Sequence, residues 1–294
     1  MRLAGGPRST ASARLLKILA RESPLDWSVT DHNPAIDAVD LPEIIGFDTS
    51  ALKALRRDPI GLSSLLSGLA TRRIPIVLPG QAVQEYWNNH RTFSNEDSSR
   101  LRKEIEKLQQ GLLDVGAASA SEHVTTIAEA LTELDGDLQQ VKDARAFLRR
   151  STDAMDDLLR FGQVAFVSRL TFGPLAEFRL ASKVAPGFDD AKTKVAALGD
   201  FFVWADFLLG CMRHGRPLAS PSSSFGLLVT DEKKVDWRTG ELAHPVLTAE
   251  YKAACGLHLG VATVREMQAA PFFKGLVGQP KRPTESVDSA TDGT

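Results

Sequence analysis

The sequence predicts an α/β protein built on a parallel sheet covered by helices on both faces. Two observations carry that expectation. Four short runs are apolar throughout rather than alternating, as in strands buried on both faces. They are Ile44 to Asp48, Ile74 to Pro79, Phe225 to Val229 and Leu257 to Val261. Between them lie stretches with apolar residues at three- and four-residue spacing, the period of amphipathic helices.

Each element has a local reason. The first run ends on Asp48, and Thr49-Ser50-Ala51-Leu52 then opens a helical pattern. Pro79-Gly80 punctuates the second run, and Gln81 to Asn89 reads as the next helix. Asp200 to His214 is a helix with the stripe Phe201, Trp204, Phe207, Leu208 and Cys211. The third run ends in Thr230-Asp231, and Gly256 before the fourth reads as a helix C-cap. Thr263 with Glu266 three residues on forms a capping box for a last helix.

The middle of the chain is helical in a different way. Leu101, Ile105, Leu108 and Leu112 make one stripe. Val124, Ile127, Leu131, Leu134, Leu138, Val141 and Leu148 make a longer one, with Ser119 and Glu122 as a capping box at its start. Long helices packed antiparallel are expected, forming a hairpin on their own domain; a partner-binding or dimerising arm is the other reading of the same stripes. Asp153, Asp156 and Asp157 read as a solvated face. The expected organisation is an N-terminal arm over 1–40, partly disordered, and a main domain over 41–278 with a helical insertion at about 94–180. A tail over 279–294, nearly free of large apolar residues, is expected to be disordered.

Composition removes several classes of function. With 35 Lys and Arg against 37 Asp and Glu, the 294-residue chain has a net charge of -2 and cannot hold nucleic acid by bulk charge. Two cysteines, Cys211 and Cys255, make neither a disulfide framework nor a Cys-rich zinc site, which points to a reducing cytoplasm. Charges interrupt every apolar stretch before about 18 residues, so no membrane span is expected. Residues 1–21 contain Arg2, Arg8, Arg14, Lys17 and Arg21 and no acid. That composition resembles an organellar transit peptide; the preferred expectation is a basic arm ending in a short amphipathic helix.

The motifs of dinucleotide binding, the P-loop, zinc proteases and the nucleophile elbow are absent, and six scattered histidines show no ligand spacing. Carboxylates remain. Asp48 and Asp231 each end a strand, and in an open parallel sheet the carboxyl ends of strands form the ligand crevice. Glu85 lies one turn into the helix after the second strand, and Asp200 opens its own helix. Asp206, six residues on, is about 240° further round that helix and points elsewhere. Singly these acids have ordinary readings: Asp48 and Asp200 as helix caps, Asp231 as a turn residue, Glu85 as a surface residue. As a set, four unpaired carboxylates would repel one another unless divalent cations neutralised them. Ligands made only of oxygen suit Mg²⁺ or Mn²⁺ better than zinc.

These pieces resemble a known family. Phe47-Asp48-Thr49-Ser50, Glu85 in Val83-Gln84-Glu85-Tyr86-Trp87, Gly199-Asp200-Phe201-Phe202-Val203-Trp204 and Thr230-Asp231-Glu232-Lys233-Lys234-Val235-Asp236-Trp237 are similar to the motifs of PIN-domain nucleases. The last two strings, with Pro186-Gly187-Phe188-Asp189-Asp190, resemble the PIN-like branch with a long helical insertion between the glutamate and the third acid. The resemblance spans about residues 43 to 270; Glu232 stands where a second Asp is common and Val235 where an acid is common. It implies a Rossmann-like fold with Asp48, Glu85, Asp200 and Asp231 as the catalytic, metal-binding quartet. Asp190 and Asp236 are weaker candidates for the metal, and Lys233 and Lys234 for substrate phosphate.

The implied activity is a metal-dependent endoribonuclease that leaves 5′-phosphate and 3′-hydroxyl ends, with RNA as partner and no membrane. An inhibitor protein, as in toxin–antitoxin pairs, and a homodimer stand open. The rival reading is a non-catalytic scaffold that binds RNA or a protein through the helical insertion. A Mg²⁺-dependent phosphatase ranks last, because it needs a second acid two residues after its aspartyl nucleophile, where this chain has Ser50.

Overall fold

The computed structural model describes residues 7–22, 25–27, 34, 40–118, 122–140, 144–188, 198–214, 224–230 and 236–277. The expected class stands. Among these residues a five-stranded, wholly parallel sheet runs in the order β3-β2-β1-β4-β7, with β1 at Ile44–Phe47, β2 at Ile76–Pro79, β3 at Gly162–Ala165, β4 at Phe225–Val229 and β7 at His258–Ala262. A separate antiparallel pair, β5 (Arg238–Thr239) and β6 (Leu242–Ala243), follows β4. The chain adds strands in one direction from β1 to β3, then returns to place β4 on the other side of β1. That reversal is the topological switch point at which open α/β sheets bind ligands.

Helices cover both faces. All four residues of β1 are buried, and successive side chains of a strand point to opposite faces. On one face lie α8 (Gly199–His214) and α9 (Pro245–Cys255). Gly46 and Gly226 make this approach feasible: a Cβ on Gly46 would lie 2.5 Å from the Phe207 ring, and one on Gly226 would overlap the Tyr251 hydroxyl. Helices α3 (Pro59–Arg72), α6 (Ala144–Phe161) and α11 (Pro271–Val277) form a second layer, α6 touching β3 and α3 touching both others. Two short helices, α2 (Thr49–Leu55) and α10 (Val264–Ala269), start at strand ends, α10 with the expected Thr263–Glu266 capping box. Gly256, in the left-handed region at φ 72°, closes α9 as expected.

Three regions differ from expectation. The helix beginning after β2 does not stop near Asn89; it continues as one 39-residue helix, α4 (Gly80–Ala118), since nothing in its first thirty positions breaks a helix. Second, β3 lies inside the stretch expected to be an all-helical insertion. Its sequence, Gly-Gln-Val-Ala, has no apolar run because an edge strand is only half covered. Third, the short helix expected in the N-terminal basic segment is present as α1 (Pro7–Leu19), but its Leu15, Ile18 and Leu19 are buried against α8 and α9 and so belong to the core of the main domain.

The expected antiparallel helices are α4 and α5 (Glu122–Gln140), joined where Gln109 Nε2 donates to Thr132 Oγ1 at 3.3 Å. Leu108, Ile127 and Leu134 on their stripes stay exposed. Ser119, residues 1–6, 23–24, 28–33 and 35–39 of the arm, and the tail from 278 lie outside the described residues. Helix α7 (Arg169–Ala181) is tied to α9 by a buried ion pair between Arg179 and Glu250 at 2.6 Å, with Trp204 Nε1 donating to the same carboxylate at 2.8 Å. Burial pushes the Glu250 carboxyl up, against the pull of Arg179. Among the described residues no helix is long and apolar enough to cross a membrane.

Candidate functional site

Strand register brings five chain positions to one edge. Phe47 pairs with Val229, Val229 with Ala262, and Pro79 with Ala165, so Asp48, Thr230, Gly80, Phe166 and Thr263 all follow the carboxyl ends of their strands. Asp48 N–H donates to Val229 O at 3.0 Å, which seats it at the switch point beside β4. Its Oδ1 accepts from Ala51 N at 2.7 Å, capping α2, and Ser50 Oγ donates to both carboxylate oxygens at 2.9 and 3.0 Å. Ser50 Oγ is also 3.4 Å from Thr230 Oγ1. The capping role read for Asp48 from its sequence context is therefore real, and the carboxylate is nearly buried at 8% exposure.

Glu85 joins this edge through its neighbours. Thr49 Oγ1 donates to Glu85 Oε2 at 2.7 Å, and Gln81 Nε2 donates to Oε1 at 2.8 Å from one helical turn earlier. A Cβ on Gly199 would lie 2.6 Å from Glu85 Oε1. Glycine at that position lets Glu85 reach the start of α8, where Asp200 stands in the first turn. Asp48, Glu85 and Asp200 thus lie along one edge, near the beginnings of α2, α4 and α8. The positive ends of α2 and α8 favour the carboxylates of Asp48 and Asp200. As they stand, no three His, Cys, Asp or Glu side chains among the described residues converge closely enough to hold a metal ion.

The other candidates divide. Asp231, Asp190, Lys233 and Lys234 lie outside the described residues; Thr230, just before Asp231 in the sequence, is buried and donates its N–H to Ala262 O at 2.9 Å. Asp236 is fully buried, away from the three acids in its bonding: its Oδ2 accepts from Gly187 N at 2.7 Å and fastens that turn. Its Oδ1 has no hydrogen-bond partner among the described residues.

Asp206 does point elsewhere, and its destination matters. It is fully buried and accepts from Gln81 N at 2.9 Å, Val167 N at 2.7 Å and both terminal nitrogens of Arg169 at 2.9 and 2.8 Å. One carboxylate thereby clamps the starts of α4 and α7 to the ends of β2 and β3. Thr49, Gln81, Gly199 and Arg169 were not among the expected site residues. Only Gln81 carried a readable signal, its four-residue spacing to Glu85.

The donor set is oxygen alone, which suits a hard divalent cation. Each oxygen of Glu85 accepts one of these hydrogen bonds, and a carboxylate oxygen has about two acceptor positions, so capacity for a cation remains. Comparison with protein-family models, curated proteins and solved structures finds no match for the chain.

Proposed function

We propose that the chain is a metal-dependent endoribonuclease of the PIN-like type, with its helical insertion at about 94–180. The observation that carries this reading is the alignment of Asp48, Glu85 and Asp200 along the carboxyl edge, beside the switch point, with Thr49 bonded to Glu85. Asp231, adjoining Thr230 in sequence, is the fourth ligand in this reading. A bound Mg²⁺ or Mn²⁺ would supply Lewis acidity, lowering the pKa of water and neutralising the scissile phosphate. The chain's own residues do the rest. Asp48 and Glu85 would hold the cation; Ser50 bonds both oxygens of Asp48 and fixes its rotamer, and Thr49 with Gln81 fixes that of Glu85. RNA as substrate, rather than DNA, rests on the family resemblance.

The test uses Asp48→Asn and Glu85→Gln. Asparagine caps a helix as well as aspartate, so α2 is preserved. Cleavage of a labelled RNA in Mn²⁺ is expected to fall by roughly a hundredfold or more in each purified variant. Unchanged cleavage by both overturns the assignment. The scaffold reading draws on the exposed Leu108, Ile127 and Leu134 of the helical hairpin. Titration calorimetry with Mn²⁺ separates the two, since a chain that takes up no cation is the scaffold.

A further inference from the structure

The carboxyl edge carries an aromatic surface that the acids do not use. Phe166 directly follows β3 and is 50% exposed. One part of its ring lies so close to Gly80 that any side chain there would collide with it. The guanidinium of Arg169 stands 5.4 Å from the Phe166 ring centroid and 4.3 Å from that of Phe202. Asp206 holds that guanidinium through two bonds, so its orientation is set before any ligand arrives.

A continuous line of contacts joins this surface to the carboxylates. Arg169 donates to Gln81 Oε1 at 3.2 Å, Gln81 donates to Glu85, and Thr49 beside Asp48 donates to Glu85. The order follows the sheet from β3 through β2 to β1. The span is two strand spacings, roughly 10 Å. Phe166 is thus a half-exposed ring on a rigid backing of Gly80, at the same sheet edge as the acids. Because Asp206 neutralises Arg169, this surface does not attract phosphate by charge. What remains is stacking, which serves any base whose face is open.

We propose that Phe166, backed by Gly80 and flanked by Arg169, is a base-stacking platform for single-stranded RNA. It would take the base next to the phosphate that a cation at the carboxylates would hold, and in that respect it rests on the nuclease reading. A duplex hides its base faces and gains nothing from this surface.

The test compares Phe166→Leu, which keeps the apolar packing on Gly80 but has no π face, with Phe166→Tyr, which keeps both. Binding of a fluorescein-labelled single-stranded RNA is followed by anisotropy, beside the same RNA annealed to its complement. The expected result is a rise in Kd of roughly tenfold or more for Phe166→Leu, with Phe166→Tyr close to the parent. In cleavage assays KM rises by a similar factor while kcat stays within about twofold. Wild-type affinity in Phe166→Leu overturns the platform, as does equal binding of duplex and single strand or no single-strand binding by the parent. If the parent binds as expected but never cleaves, the nuclease reading fails and the platform stands.

Discussion

The two edges of the sheet carry opposite chemistry. At the carboxyl edge, Asp48, Glu85 and Asp200 lie near helix starts, short polar side chains bond the carboxylates, and Phe166 is open to solvent. At the amino edge a cavity of about 580 Å³ is lined by Arg14, Arg73, Lys252, His214, the thiols of Cys211 and Cys255 and a single acid, Glu43, where α3, α8 and α9 end. Helix ends explain the signs of the amino-edge bases and of Asp48 and Asp200. Arg14 donates to Ala253 O in the last turn of α9 at 2.9 Å, and basic groups are favoured at the negative end of a helix. Burial raises Cys211 and Tyr251 well above their ordinary values, so neither is a ready nucleophile. Enclosed volume is therefore a poor guide here. The amino-edge cavity is accounted for by helix termini alone. At the other edge Glu85, a full turn inside α4, lies beyond the cap positions and needs a further reason.

The comparison breaks most visibly at Asp206. Asp206→Ala leaves Arg169 without its carboxylate and removes the acceptor of Gln81 N and Val167 N. Loss of such a buried partner costs about 3–5 kcal/mol, measured by denaturant unfolding, and cleavage should fall with it because Gln81 positions Glu85. A loss below 1 kcal/mol would mean that the carboxyl edge is not held by this clamp. Cys211→Ala is the matching change at the amino edge. It removes a buried thiol and should cost about 1 kcal/mol while leaving RNA cleavage at the parent rate. Reduced cleavage would show that the two edges are not independent.

The legible parts of the fold were those in which one residue type decides the outcome. β1, β2, β4 and β7 are apolar runs, and their ends placed Asp48 at the carboxyl edge of the sheet. β3 was not legible, because Gln163 is exposed and Val164 half-buried, so Gly162–Ala165 looks like any short linker after a helix. The period of α8 showed that Asp206 faces away from Asp200. It carried no information about Arg169, Gln81 or Val167, since Gln81 is 125 positions distant in sequence. For the same reason the sequence does not show why glycine stands at position 199, just before the expected helix start at Asp200. The value of Gly199 is the space it leaves for Glu85, which exists only after β2 and α8 have packed.

The smallest effect concerns two histidines, one at each edge. Burial lowers His244 from its ordinary 6.5, with Asp236 pulling the other way, and burial lowers His214 as well. A depressed folded pKa means that the neutral form is favoured by folding. The stability it contributes is full above pH 6.5 and is lost as pH falls through the folded value. His244 has a second reason for acid sensitivity: its Nδ1 accepts from Val246 N at 3.3 Å to cap α9, and a protonated Nδ1 cannot accept. At the start of a helix the added positive charge is also unfavourable, whereas His214 lies in the last turn of α8, where it is favourable. His244→Asn, which keeps a capping acceptor and does not titrate, should therefore flatten the fall in unfolding free energy between about pH 7.5 and 5 more than His214→Asn does. Equal flattening by the two substitutions would show that burial alone governs both and that the helix ends contribute nothing to the difference between the edges.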